Sequence, residues 1–278
     1  MHATLVSAAT LAAHANDPQW IVFDCRHDLA DTGAGRRAYG ASHIPGARFV
    51  HLDYDLSAAK TGTNGRHPLP EPQSFCARLA ALGLSNGMQV VAYDAHGGMF
   101  AARLWWMLRW VGHDTVAVLD GGLGAWQQAG HPVTAALPAP RQGHFTSTPL
   151  PLMVDAAFVA AHLDDGAMRL IDARAPDRFR GENETLDPVG GHIPGAVNRC
   201  FKDNLAADGR FKPAAALRAE FAALLGGAAP AQVVQQCGSG VTACHNLLAM
   251  EAAGLAGSRL YAGSWSEWCA DPQRPVER

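Results

Sequence analysis

A chain of 278 residues is long for one compact domain and comfortable for two of roughly 130 residues each. Its 48% hydrophobic content can fill real cores, and 17% charged residues is too few for a disordered chain. A formal net charge of −3 and a pI near 6.5 give no electrostatic case for nucleic acid or an anionic membrane, so small molecules and soluble proteins are the expected partners.

In chain order, Ser7 is placed to cap a helix beginning at Ala8. The apolar run 5–13 has no cationic residue before it, the first being Arg26, so it does not read as a secretory leader. No run reaches the roughly 18 apolar residues of a membrane span, and a cytoplasmic location is expected. Apolar runs at 21–23, 90–93 and 116–119 predict buried parallel strands, with helices over 74–82 and 100–110. Trp105, Trp106 and Trp110 read as a structural stripe rather than a cofactor box. A proline-rich polar stretch near 136–152 predicts a linker. Strands at 170–171, 233–235 and 259–261 then alternate with helices over 214–225 and 242–252. The expectation is an α/β chain of two domains, 1–135 and 153–278, each a parallel sheet flanked by helices on both faces.

The two halves echo one another. Asp24-Cys25-Arg26 returns as Asp172-Ala173-Arg174, and His43-Ile44-Pro45-Gly46-Ala47 returns unchanged as His192-Ile193-Pro194-Gly195-Ala196. Leu119-Asp120-Gly121-Gly122 with Trp126 parallels Tyr261-Ala262-Gly263-Ser264 with Trp268. Offsets of 148, 149 and 142 in one order mark an internal duplication. Because the Asp-x-Arg pair occurs in both halves, it reads as a structural ion pair.

Cys237 falls where the strand over 233–235 ends, and Gly238-Ser239-Gly240-Val241-Thr242 curls from it into a helix. Two glycines permit a tight turn whose N–H groups converge on one sulfur, and these dipoles plus a helix N-terminus stabilise a thiolate or persulfide. The plain alternative is a core cysteine beside a Gly-Ser turn. A dinucleotide loop would need an acid about 20 residues on, yet 258–262 is Ser-Arg-Leu-Tyr-Ala. A P-loop needs Gly-Lys-Ser/Thr, and a cysteine phosphatase needs a closing arginine where Thr242 and Ala243 stand. At the matching place in the first half stands Asp94, which cannot carry sulfane sulfur, so a single catalytic copy is expected. The six cysteines include no Cys-x-x-Cys, and none of the thirteen histidines pairs with Cys or acid at metal-ligand spacing. Neither metal nor organic cofactor is expected.

The HIPGA segments, Asp120-Gly-Gly-x-x-x-Trp126, Gly263-Ser264-Trp265-x-x-Trp268 and Cys237-Gly-Ser-Gly-Val-Thr-Ala243 together resemble the two-domain rhodanese family, specifically its 3-mercaptopyruvate sulfurtransferase branch. The resemblance implies a ping-pong sulfur transfer: Cys237 takes sulfur from mercaptopyruvate, pyruvate leaves, and the persulfide passes its sulfur to a thiol such as thioredoxin, or to cyanide. It implies that the loop Gly238–Thr242 stabilises the persulfide, and that Ser239 and His43 relay a proton, with Asp31 as a candidate acid. It assigns Arg178 to the substrate carboxylate, a role suited to a guanidinium fork. The family's second arginine is missing from 182–187, where Glu182, Glu184 and Asp187 stand, which leaves Arg180 or Arg199 as candidates. The thiosulfate-type enzymes carry Arg and Lys where this chain has Gly238 and Ser239. Thiosulfate:cyanide sulfur transfer is therefore the near alternative, and a non-catalytic sulfur carrier or thiol-redox binding protein the distant one.

Overall fold

The computed structural model describes residues 1–163 and 165–278. The chain divides into two compact units, the first comprising Met1–Ser57, Pro70–Leu150 and Ala207–Phe211, the second Ala58–Leu69, Pro151–Ala206 and Lys212–Arg278. Each unit therefore takes one short segment from the other half of the sequence.

The first unit holds strands β1 (Leu5–Val6), β2 (Trp20–Asp24), β3 (Arg48–Phe49), β4 (Gln89–Tyr93) and β5 (Val116–Leu119). All pair parallel, in the order β1-β5-β4-β2-β3. Helices α1 (Ala8–Ala13), α2 (Ala34–Ala41), α3 (Pro72–Ala81), α4 (Ala101–Trp110) and α5 (Gly122–Gln128) follow the strands in alternation. The side chain of Ser7 caps α1 by accepting the Thr10 N–H at 3.1 Å. β4 is buried along its whole length and is apolar through Val90-Val91-Ala92, as suits a central parallel strand covered on both faces. Trp105, Trp106 and Trp110 of α4 are buried, with Trp106 stacked on Trp110 at 5.9 Å. Residues 136–150 lie along this unit: Arg48 donates to the Ala139 carbonyl, His144 N–H to Ser85 Oγ, and Phe145 is buried.

The second unit repeats the plan with β6 (Met153–Val154), β7 (Arg169–Asp172), β8 (Val197–Asn198), β9 (Val233–Gln236) and β10 (Arg259–Tyr261), ordered β6-β10-β9-β7-β8 and parallel throughout. Helices α6 (Ala156–Ala161), α7 (Pro176–Phe179), α8 (Ala214–Leu225), α9 (Thr242–Ala252) and α10 (Ser264–Trp268) complete it. Its core gathers Val159, Leu170, Val234, Tyr261, Trp265 and Trp268.

The repeated motifs occupy the same places in both sheets. The carboxylate of Asp24 at the end of β2 takes Arg26, which also donates to the Ser42 carbonyl. Asp172 at the end of β7 takes Arg174, which donates to the Gly191 carbonyl. Burial works against the charge of Arg174, but Asp172 more than offsets it and holds the guanidinium pKa above its ordinary value. Among the described residues, no helix is long and apolar enough to cross a membrane.

Candidate active site

In an open parallel sheet, ligands meet the carboxyl ends of the strands, where loops run into helix N-termini. Cys237 stands there, one residue past β9 and five before α9. It is buried, and the Gly240 N–H donates to its Sγ at 3.1 Å. Gly240 has φ +75, and a Cβ on it would fall 2.4 Å from the Ala262 carbonyl oxygen, so only glycine lets this amide reach the sulfur. A second wall fixes the cysteine backbone. The Ser264 hydroxyl accepts the Cys237 N–H at 3.1 Å and donates to the Tyr261 carbonyl, while Trp265 N–H donates to the Cys237 carbonyl at 3.0 Å. Ser264 holds a left-handed φ of 53, a local strain that the three bonds around it maintain.

The first half holds the corresponding loop with a different occupant. Asp94, one residue past β4, is fully buried and accepts four backbone N–H groups: His96 and Gly98 on Oδ1, Phe100 and Ala101 on Oδ2, at 2.8–2.9 Å. The strand-to-helix loop of this fold is thus an anion cradle, and in the first unit a carboxylate fills it.

Two guanidinium groups converge over Gly238. A Cβ there would meet Arg66 Nη2 at 2.7 Å and both terminal nitrogens of Arg178 at 3.5 Å. Arg178, on α7, pairs with Glu184 through Nε and Nη2 at 2.8–3.1 Å and reaches Asp187 at 3.4 Å. Arg66 is ion-paired to Asp187, and its backbone N–H donates to Ser266 Oγ at 3.0 Å. Ser266 in turn donates its N–H to the Gly238 carbonyl. Both carboxylates have side chains only 3% exposed, whereas the two arginines remain 21–25% exposed and can meet a small anion from solvent. Burial raises the Asp187 pKa despite Arg66 beside it. Burial would raise Glu184 as well, but the Leu186 amide and Arg178 prevail and lower it.

The ring facing Ser239 is His67: its Nδ1 and Ser239 Oγ are hydrogen-bonded at 2.7 Å, both residues being buried. His43, which the family resemblance assigns to that relay, is engaged otherwise. Its Nδ1 bonds the Tyr39 carbonyl at 2.8 Å, its ring stacks on Tyr39, and its backbone pairs with Thr134. His192 mirrors it on the Phe179 carbonyl, on the Phe179 ring and on Glu277. Both histidines of the repeated motif thus fasten their loops. Asp31 pairs with Arg37 on the surface of the first unit. The other two arginine candidates point elsewhere, Arg180 to exposed Glu182 and Arg199 to Glu220 and Asn204. Cys244 is buried on α9, with Sγ 3.3 Å from the Gly240 carbonyl.

Sequence reasoning overlooked Arg66 and His67, which lie in an irregular segment without periodicity. A signal existed: Gly65-Arg66 is echoed by Gly209-Arg210 at an offset of 144, with His67 opposed by Phe211.

The Rhodanese-like domain family model matches residues 7–129 and again 155–271. The chain belongs to the rhodanese family. Among its relatives in that family, a probable 3-mercaptopyruvate sulfurtransferase of Pseudomonas aeruginosa is 51% identical over 277 residues, covering 99% of this chain and 98% of the relative. A putative thiosulfate sulfurtransferase of Mycobacterium tuberculosis is 40% identical, covering 99% and 96%. A solved 3-mercaptopyruvate sulfotransferase structure, SseA from Escherichia coli, superposes with a TM-score of 0.83 at 31% identity, over 95% of this rhodanese and 99% of that chain.

Proposed function

We propose that this rhodanese is a sulfurtransferase that moves sulfane sulfur from 3-mercaptopyruvate, through a persulfide on Cys237, to a thiol such as thioredoxin or to cyanide, releasing pyruvate. The observation that carries the reading is the convergence on one loop of a cysteine held by an inward amide, a Ser239–His67 pair and two solvent-reachable guanidiniums.

In the first half-reaction the Cys237 thiolate attacks the donor sulfur and forms the S–S bond. The C–S bond breaks, and its electron pair passes into the enolate of pyruvate. Ser239 and His67 carry the proton from the donor thiol to the methylene carbon, so the products are the Cys237 persulfide anion and pyruvate. Arg178 and Arg66 hold the donor carboxylate during this step. In the second half-reaction an acceptor thiol attacks the outer sulfur, and Cys237 leaves as thiolate.

The first unit supports the role of the loop in holding the persulfide. A carboxylate oxygen lies one bond beyond Cγ, as the outer sulfur of a persulfide lies one bond beyond Sγ. The Asp94 oxygens therefore stand in for that sulfur, with four amides around them. At an offset of 143 the first three of those amides correspond to Ser239, Val241 and Ala243.

Thiosulfate is the second reading, favoured by the same two arginines. The uncharged Gly238-Ser239 pair weighs toward mercaptopyruvate, yet Arg66 and Arg178 restore positive charge over the loop from outside it. Comparing kcat/KM on the two donors separates these readings, and a marked thiosulfate preference would reverse the assignment. Mass spectrometry after exposure to mercaptopyruvate is expected to find one added sulfur on Cys237. Multiple turnover distinguishes the enzyme from a stoichiometric sulfur carrier.

A further inference from the structure

The first unit contains a second group of chemically capable side chains, remote in sequence from the cysteine loop. His27 follows β2, and His51 and Asp53 follow β3. One ligand-capable atom from each lies within 4.8 Å of the others. His27 Nε2 is 3.8 Å from Asp53 Oδ2, and His51 Nδ1 is 3.9 Å from the same oxygen.

His27 is the informative member. Its side chain is 1% exposed, and neither ring nitrogen has a hydrogen-bond partner. Buried polar atoms are ordinarily satisfied, so an imidazole with two unmet nitrogens, one of them turned toward a carboxylate, asks for a missing partner. Phe100 and His51 meet this ring edge-on at 5.3 and 5.1 Å and fix its plane.

His51 is already oriented as a ligand. Its Nε2 lies 2.9 Å from the Thr32 carbonyl, which can only accept, so Nε2 carries the proton and Nδ1 the lone pair. An imidazole that donates its far N–H to a backbone carbonyl is the usual outer-shell arrangement of a metal-bound histidine. The Asp53 N–H, 3.1 Å from Nδ1, holds that lone pair meanwhile and would be displaced by a metal. Asp53, with 18% of its side chain exposed, opens the cluster to solvent.

The duplication sharpens the point. At offsets of 148 and 149 the second half places Ala175, Cys200 and Lys202 opposite His27, His51 and Asp53. The fold itself therefore requires none of the three.

We propose that His27, His51 and Asp53 form a binding site for a divalent transition-metal ion, with Zn²⁺ the best match and solvent completing its shell. Two imidazoles and one carboxylate suit a borderline ion and not Ca²⁺ or Mg²⁺, which prefer all-oxygen shells. Tetrahedral Zn²⁺ with bonds of about 2.0–2.1 Å sets its ligand atoms about 3.4 Å apart, so each histidine closes on Asp53 by about half an ångström on binding and no pair closes by more than about 1.4 Å.

The test uses the full-length chain stripped with chelator, carrying Cys237→Ser so that the reactive thiol does not compete. Calorimetric titration with ZnCl₂ alone is expected to give one equivalent per chain. Asp53→Asn, at a partly exposed position that leaves packing intact, and His27→Ala are each expected to weaken binding at least tenfold. Co²⁺ in the chain carrying only Cys237→Ser is expected to give visible d–d absorption without a thiolate charge-transfer band, a readout that depends on neither ligand substitution. Absence of binding, binding indifferent to both substitutions, or a thiolate band would each overturn the site.

Discussion

His67 Nδ1 lies 2.7 Å from the hydroxyl of Ser239 although 172 positions of sequence separate them. A serine two residues past the cysteine thereby gains a partner that can hold or pass a proton. His67→Ala and Ser239→Ala are each expected to lower kcat by roughly 10²–10⁴-fold, the usual worth of a positioned acid–base group. Cys237→Ser is expected to abolish turnover. Pyruvate release under donor saturation reads all three, and an unaffected His67→Ala would remove the relay.

Arg66 and Arg178 face the same small volume above Gly238. Removing either is expected to raise KM for mercaptopyruvate by about 10–100-fold, as for a lost charge-assisted hydrogen bond of about 1.5–3 kcal/mol. The kcat should change less. Arg66→Lys keeps the charge but loses the fork, and recovery of less than half of the lost affinity is expected. Steady-state kinetics on donor alone separate KM from kcat.

Asp187 is ion-paired to Arg66, so under the proposed role of Arg66 it would compete with the donor carboxylate. Burial places its folded pKa above the unfolded value, so the folded state binds this proton more tightly. The group then favours the folded chain below its unfolded pKa, and that contribution is lost as pH rises through the folded pKa. In the same window protonation loosens the Arg66 pair, so KM for the donor should fall as pH is lowered toward it. Asp187→Asn should lower KM at neutral pH and flatten its pH profile. A profile identical to that of the parent chain would show that Asp187 does not gate Arg66.

Thiol labelling offers a check on the assignment of the nucleophile. Burial pushes Cys76 and Cys269 up to about 11 and raises Cys25 well above the usual thiol range. At pH 7 a thiol at 11 is about 10⁻⁴ thiolate, so these sites should be nearly inert to iodoacetamide. Peptide mapping is expected to find Cys237 alkylated first.

Asp94 serves its four amides from inside the first unit. Asp94→Ala would leave them buried without an acceptor, at about 3 kcal/mol or more. A midpoint lowered by roughly 6–12 °C in thermal unfolding is expected for a chain of this size, with Asp94→Asn intermediate.

The parts of this molecule legible in its sequence are those governed by local pattern. Continuous apolar runs such as Val90-Val91-Ala92 mark strands buried on both faces, and the repeated Asp-x-Arg and HIPGA strings mark the duplication. Cys237 stood out because a strand end, two glycines and a helix start fix its surroundings within six residues. His67 and Arg66 did not, since their segment has no period and their partners Ser239 and Asp187 lie 172 and 121 positions away. The acidic run around Glu184 and Asp187 read as a departure from the family's substrate site. In the structure those carboxylates are the counter-charges that hold two arginines over the loop.

The exchange of short segments also bears on how such a chain can be inherited. The second unit includes Ala58–Leu69, encoded ahead of most of the first, and the first includes Ala207–Phe211, encoded within the second. A gene cut at the 150–151 boundary would yield a second half that retains Cys237 but lacks both Arg66 and His67. Each compact unit is completed by a segment from the other half of the sequence, so no single break in the chain yields both units whole. The copy that has Asp94 in place of a cysteine also supplies Ala58–Leu69 to its twin.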